Sequence, residues 1–414
     1  VITRGMTVLV GCAENRGRGR RAIAVLVGIT TVAAGAAACS DSDAVAGKDA
    51  VRLTVKPLQQ DGAVAPDTPI TVQAENGTVE NVTVQARGSA VAGGLDQART
   101  RWTSRWGLVP ATDYTVTATG LGRDGRTETV TGRFRTAKVK RTVAANVEAP
   151  SPKETVGVGM PIILRFDRPV TNRAAVERAM ELHSTKPVEG AWSWFGDQSV
   201  VFRTRKFWPA HTKVNLVAHL SGVRAAKGTW GKDFTLDFRI GDSHISKGSA
   251  KSHMMTVRTN GRKARTIPVS MGMGGSTKYT TTNGVHLTME KSNPVIMDSA
   301  TTGCGPGCPG YYRETVYSAV RISNSGEYVH SAPWSVGSQG NSNVSHGCVN
   351  ASPSNARWFY NLAYRGDPVI ITGTSRDLEP ENGWGYWQKS WKDWLKDGAT
   401  HQTLKIANGD AAPA

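Results

Sequence analysis

The residues able to do chemistry gather toward the carboxyl end. They lie in Val329-His330-Ser331-Ala332-Pro333-Trp334 and in Ser345-His346-Gly347-Cys348-Val349-Asn350, with 14 residues (331–344) between His330 and Ser345. Cysteine attacks a carbonyl as its thiolate, and an ordinary thiol with a pKa of ~8.5 needs a nearby imidazolium or main-chain dipoles to reach that form at neutral pH. His330 and His346 are both candidates for that task. Gly347 permits a sharp turn and close approach of a substrate, and the successive N–H groups of Gly347 and Cys348 suit an oxyanion hole. This is equipment for acyl transfer through a thioester. On residue types alone, two other readings stay open: a buried cysteine that only packs, and a metal ligand beside His346. A zinc site wants about four ligands at characteristic spacing, and only Cys304 and Cys308 stand nearby in sequence.

The elements that must carry these residues read as mainly β. From Val51 the apolar positions alternate (Val51, Leu53, Val55, then Tyr114, Val116, Ala118) with Gly and Asp-Gly turn signals between them, the period of half-buried strands. A second such stretch follows Pro150, with Ile162, Leu164 and Phe166, then Val214, Leu216, Ala218 and Leu220. Leu108-Val109-Pro110-Ala111-Thr112 is echoed by Phe207-Trp208-Pro209-Ala210-His211-Thr212, so two tandem immunoglobulin-like sandwiches are expected, over 51–140 and 141–242. A third β-rich unit follows over 243–373. Asn260-Gly261 marks a hairpin between Met255 to Arg258 and Ala264 to Ser270, and Thr282-Asn283-Gly284 is expected to precede a strand from Val285 to Glu290. Ser352 as N-cap and Pro353 at the first position open a helix with Trp358 and Leu362 on one face, running to Gly366. In the extension 374–414, Trp384, Trp387, Trp391 and Trp394 recur at helical spacing. That stripe predicts an amphipathic helix docked on the third unit.

The whole chain has 414 residues, enough for two or three domains. Its 50 Lys and Arg exceed 33 Asp and Glu, for a net charge of +17. DNA, anionic membrane and acidic wall polymers all suit such a charge, but the basic residues are dispersed, which argues against nucleic acid. Arg16, Arg18, Arg20 and Arg21 precede an uncharged run from Ala22 to Ala38, the pattern of an export signal. The run ends in Ala37-Ala38-Cys39-Ser40, which resembles a bacterial lipobox. The expectation is a cleaved signal over 1–38, a diacylglyceryl group on Cys39 and a polar tether over 39–50; an uncleaved anchor and simple secretion are the alternatives. Export leaves Cys304, Cys308 and Cys348 as thiols. In an oxidising compartment a close pair plus a single residue suggests one disulfide, across the Gly305-Pro306-Gly307 turn, and one reactive thiol.

The pattern His-x14-Ser-His-Gly-Cys-hydrophobic-Asn resembles the signature of L,D-transpeptidases with the YkuD-type catalytic domain. The surrounding HSAPWSVGSQG and SHGCVNASPSNARWFY are similar to the mycobacterial class. The resemblance implies 3→3 cross-linking of peptidoglycan stem peptides: a cysteine attacks a tetrapeptide donor, releases D-Ala, and passes the acyl group to a diaminopimelate side-chain amine. It implies no cofactor and no metal, with carbapenems as covalent inhibitors. Carried onto this chain, Cys348 is the nucleophile and His330 the general base, its far nitrogen held by the Ser331 carbonyl. His346, Gly347 and Cys348 line the oxyanion region, and Asn350 and Ser345 brace the loop. Tyr312, on a lid from Gly303 to Arg313, contacts the acyl group, while Met297 and Trp334 occupy pocket positions. Partners would be stem peptides and, through the lipid, the outer face of the cytoplasmic membrane. An L,D-carboxypeptidase using the same thioester and a non-catalytic wall-binding lipoprotein are the competing readings.

Overall fold

The computed structural model describes residues 49–406. The signal segment and Cys39 lie outside the described residues. Among the described residues no helix is long and apolar enough to cross a membrane.

The first sandwich faces a sheet of Arg52–Lys56, Thr71–Glu75, Arg101–Ser104 and Gly93–Leu95 against one of Ser89–Ala90, Gly77–Ala86, Asp113–Gly122 and Thr127–Arg135. Alternation puts every second side chain inside: Leu53, Val55, Val72, Val116, Ala118 and Trp102 form one core. The second sandwich pairs Thr155–Val156, Phe234–Ile240, Lys213–Ala218 and Met180–Ser184 in one sheet. Its other sheet holds Ala145–Ala149, Ile162–Phe166, Ser199–Thr204, Val188–Phe195 and, at its edge, Leu404–Ile406. The sequence echo is a shared turn. Ala111 and His211 both sit at positive φ, 50° and 58°, and the following threonine hydroxyls cap back onto Pro110 and Pro209 carbonyls at 2.9 and 2.6 Å. The sandwiches meet where Gly107 and Gly222 touch through their backbones; a Cβ on Gly107 would fall 2.6 Å from the Gly222 oxygen. Arg105–Glu181 and Arg224–Asp67 ion pairs, at 2.6 and 3.1 Å, flank that contact.

The third unit has a six-stranded sheet in the order Arg262–Pro268, Met254–Thr259, His244–Ser249, Pro368–Thr372, Thr282–Leu287, Arg376–Asp377. A second sheet runs Lys291–Ser292, Arg313–Arg321, Tyr328–Ser331, Val349–Ala351. Asn260 and Gly261 do form the hairpin turn, both at positive φ. Asn283-Gly284 does not turn the chain: it lies inside the strand Thr282–Leu287, held by pairing on both edges. Side-chain packing explains the bare position, since a Cβ on Gly284 would overlap Gln388. The helix Pro353–Leu362 starts at Ser352, whose hydroxyl accepts from Asn355 N, and stops at Ala363, short of Gly366. Its most buried residues are Ala356 and Phe359; Trp358 and Leu362 are only partly buried.

The tryptophan-rich tail departs from expectation in both form and place. It is a 3-10 turn, Gly385–Gln388, and a short helix, Trp391–Lys396, not one amphipathic helix. It packs into the core of the second sandwich, with Trp394 fully buried, instead of docking on the third unit alone. Trp394 Nε1 donates to the Ala191 carbonyl at 2.9 Å. Arg203 explains the choice. Its guanidinium lies within 4.6 to 5.3 Å of the Trp387, Trp391 and Trp394 ring centroids and donates to Lys389 O at 2.8 Å. Burial pulls Arg203 down to about 10, and the rings offer the cation a partial substitute for water.

Candidate active site

Two adjacent strands set out the chemistry. Tyr328–Ser331 and Val349–Ala351 run parallel, with Val329 opposite Val349 and His330 opposite Asn350. Val329 and Val349 turn inward to the core beneath the helix. The alternate residues, His330, Asn350 and, just before the strand, Cys348, therefore share the other face. His330 is buried, and its Nδ1 donates to the Ser331 carbonyl at 2.9 Å, which leaves the lone pair on Nε2. Burial pushes His330 below its ordinary value, while the Ser331 carbonyl and the Asn350 side chain favour the charged ring. The imidazole is thus neutral at rest.

Cys348 is half-buried and is the free cysteine among the described residues. It makes no hydrogen bond to His330; its Sγ donates instead to the Gly326 carbonyl at 3.7 Å. Burial pushes the thiol up to about 12, with Glu327 and Glu314 adding to the rise and the Tyr328 backbone opposing it. The expectation of a resting thiol lowered by imidazolium is therefore reversed: with a neutral His330 and two carboxylates near, the protonated form is the stable one.

The loop before Cys348 is braced through Ser345, whose hydroxyl donates to the Cys348 carbonyl at 2.6 Å and accepts from Gly347 N at 3.1 Å. That bond occupies one N–H of the expected oxyanion pair, so the Cys348 N–H is the main-chain donor left for a developing negative oxygen. Asn350 donates from Nδ2 to Ser335 Oγ at 3.1 Å and exchanges main-chain bonds with Ser270. Gly347 has φ 127°, a conformation that L side chains rarely adopt.

Cys348 opens on a groove of about 530 Å³. Tyr312 and His346 cross it, their rings stacked with centroids 4.7 Å apart, and Tyr279 approaches His346 at 5.1 Å. Burial raises the Tyr312 phenol to about 12, which keeps it a hydrogen-bond donor. Met297 lines an adjoining cavity with Tyr312 and Tyr328. Trp334 does not line the groove. It is 56% exposed, with its ring centroid 6.1 Å from that of His330, because the 3-10 turn Pro333–Ser335 carries it outward. Cys304 and Cys308 are disulfide-bonded, with Cα atoms 5.3 Å apart, in the segment that leads to Tyr312. Among the described residues no group of three or more His, Cys, Asp or Glu could hold a metal ion.

Residue patterns missed part of the site. Thr281 Oγ1 donates to the Gly347 carbonyl at 2.7 Å and accepts from Gly272 N at 2.8 Å. Behind it, Thr282 bonds Glu327 through N and Oγ1 at 2.6 and 2.7 Å. Lys278 and Arg376 stand on the groove wall. None belongs to a recognisable spacing, since Lys278, Thr281 and Thr282, then Glu327, then Arg376 come from three separate segments.

Comparison with known proteins places the site in a lineage. The L,D-transpeptidase catalytic domain model matches residues 245–371, and a bacterial Ig domain model matches 61–224. L,D-transpeptidase 2 of Mycobacterium tuberculosis is 37% identical over 409 residues, covering 94% of this chain and 99% of the relative. L,D-transpeptidase 5 of the same organism is 36% identical, covering 84% of this chain and 77% of the relative. A solved structure of L,D-transpeptidase 3 from M. tuberculosis with a faropenem-derived adduct is 35% identical and covers 56% of this chain and 98% of that one, with a TM-score of 0.47. By its catalytic-domain match and its near full-length relative, this chain belongs to the L,D-transpeptidase family and is an enzyme of that class.

Proposed function

We propose that the protein joins peptidoglycan stem peptides in the 3→3 sense through a thioester on Cys348. The observation that supports this is the pairing of Tyr328–Ser331 with Val349–Ala351, which sets buried His330 on the same face as Cys348, one residue before its strand, while Cys348 itself lines an open groove. The thiol proton passes to His330 Nε2 as sulfur attacks the donor carbonyl. The C–N bond to D-Ala then breaks, and the proton leaves with the D-Ala amine. A diaminopimelate amine next attacks the thioester, the C–S bond breaks, and the acceptor's proton returns through His330 to sulfur. In this reading the Cys348 N–H and the Tyr312 phenol, kept protonated by burial, donate to the oxyanion. A carbapenem would acylate the same sulfur by ring opening. As part of the same proposal, a lipid on Cys39 holds the enzyme at the outer face of the cytoplasmic membrane, supported by the basic and then apolar run before it.

Intact mass after incubation with a carbapenem is the test: a gain of one whole inhibitor in the wild type and none in Cys348→Ala is expected. A disaccharide tetrapeptide should yield a 3→3 dimer with loss of one D-Ala. A product that is only the hydrolysed tripeptide, even with excess acceptor, would make the enzyme a carboxypeptidase.

A further inference from the structure

Running from the wall of the groove into the interior is a polar chain that the transfer steps above do not use. Glu327 is 4% exposed. Its carboxylate accepts from Thr282 N, Thr282 Oγ1 and Ser325 Oγ, and no lysine or arginine pairs with it among the described residues. The nearest nitrogen on a basic ring is His286 Nε2, 3.9 Å away. That ring is completely buried, shares the Thr282 hydroxyl at 2.7 Å, and is held neutral by its burial. A carboxylate so enclosed is costly unless its lone pairs are satisfied, and here hydroxyl and amide donors satisfy them without cancelling the charge.

The chain touches the nucleophile from both sides. Residue 326, directly before Glu327, supplies the carbonyl that accepts the Cys348 Sγ. On the other side, Gly347 lies over the Glu327 stem: a Cβ there would sit 3.9 Å from Glu327 Cγ. Thr281, next to Thr282, holds the Gly347 carbonyl. The titratable and charged groups around the thiol are Glu327, Glu314, Tyr328 and Tyr312, with Tyr279, His346, Lys278 and Arg376 on the wall of its groove and His330 on the neighbouring strand. Glu327 lies between the two segments that flank the sulfur: it follows Gly326 directly, its stem packs against Gly347, and its neighbour Tyr328 also bonds the thiol through its backbone.

We propose that Glu327 is a positioning residue for Cys348: its buried carboxylate, tied to Thr282, pins the Gly326 carbonyl onto the thiol and sets a negative charge behind it, so the empty groove presents a capped thiol and not a thiolate. A donor entering the groove displaces the sulfur from Gly326 toward His330, and the nucleophile forms only then. This rests on reading Cys348 as the nucleophile. In an oxidising compartment, where thiolates are the species oxidised, such a cap preserves the enzyme between turnovers.

The pH dependence of iodoacetamide alkylation, mapped to the Cys348 peptide, tests the idea without needing a donor. In the wild type the inflection should lie above the ordinary thiol value of ~8.5; an inflection at or below it overturns the proposal, with no variant required. Glu327→Gln keeps shape and removes charge, and should bring the inflection down by about one unit, with about tenfold faster alkylation below it. Glu327→Asp, which retains the charge, should keep the inflection high. A purely structural role would lower the melting temperature of both variants alike and leave their pH profiles coincident, which also overturns the proposal. Failure of the transpeptidase reading would show separately, as cross-linking that survives Cys348→Ala.

Discussion

At the scale of single residues, the parts of the site that the sequence made legible were those that lie within one short span. Ser345 to Asn350 carry their meaning locally, because a glycine before a cysteine permits a sharp turn and close approach, and Gly347 at φ 127° supplies the turn. Two expectations follow from that turn. Cys348→Ala should abolish the carbapenem adduct and cross-linking while the melting temperature stays within ~0.5 kcal/mol equivalent of the wild type. Gly347→Ala has room for its methyl, whose nearest neighbours lie 3.9 Å off, but must hold a disfavoured backbone at about 1–3 kcal/mol. Slower acylation with a lowered melting temperature is expected, both read on the same purified variant. His330→Ala removes the base and should cut acylation by about 10²–10⁴-fold at neutral pH. Because the thiol's folded pKa is raised, the residual rate should climb as pH rises toward about 12, measured as acylation rate against pH. What the residues did not disclose was the state of the thiol. Burial and two carboxylates set it, and Glu327 and Glu314 reach it from separate segments.

Elements were legible where one period dominates and obscure where tertiary contact overrides it. The alternation of Val51, Leu53 and Val55 read correctly because burial of one face decides it, and the cap at Ser352 because its hydroxyl satisfies the nearby Asn355 N–H. Asn283-Gly284 misled because its usual turn meaning yields to pairing with strands on both sides and to the Gln388 side chain above it. The lid is the element whose behaviour is open to measurement. The Cys304–Cys308 link closes so short a loop that its global contribution is at most ~2 kcal/mol on the loop-entropy model, yet Tyr312 follows it by four residues. Replacing both cysteines with serine should change the rate of carbapenem acylation more, in relative terms, than it changes the melting temperature. Stopped-flow acylation beside a thermal melt decides this, and unchanged acylation kinetics would remove any role of the link in the lid.

Across the whole molecule, the three-unit order was visible in the chain, but the return of its tail was not. Helical spacing of four tryptophans says that a face is buried; it does not say against what, and Arg203, some 190 residues earlier, provides the answer. Trp394→Ala should therefore destabilise the second sandwich by about 3–5 kcal/mol, although residue 394 follows the catalytic strands in sequence. Hydrogen exchange should localise the loss to strands such as Val188–Phe195 and leave the Cys348 segment protected.

That return gives the catalytic unit two chain connections to one neighbour, beside the direct bonds of Gly157 N to Arg365 O at 2.7 Å and of Arg365 to Glu154 at 3.0 Å. The chain enters it straight from the strand Phe234–Ile240 and leaves it through a tail that re-enters the same sandwich as the edge strand Leu404–Ile406. A body held at one point can swivel; held at two, it keeps its bearing. A force on the groove is then shared between both attachments and passed to the sandwich. The bearing of the groove is therefore set by the sandwich it is tied to and not by the play of a single hinge.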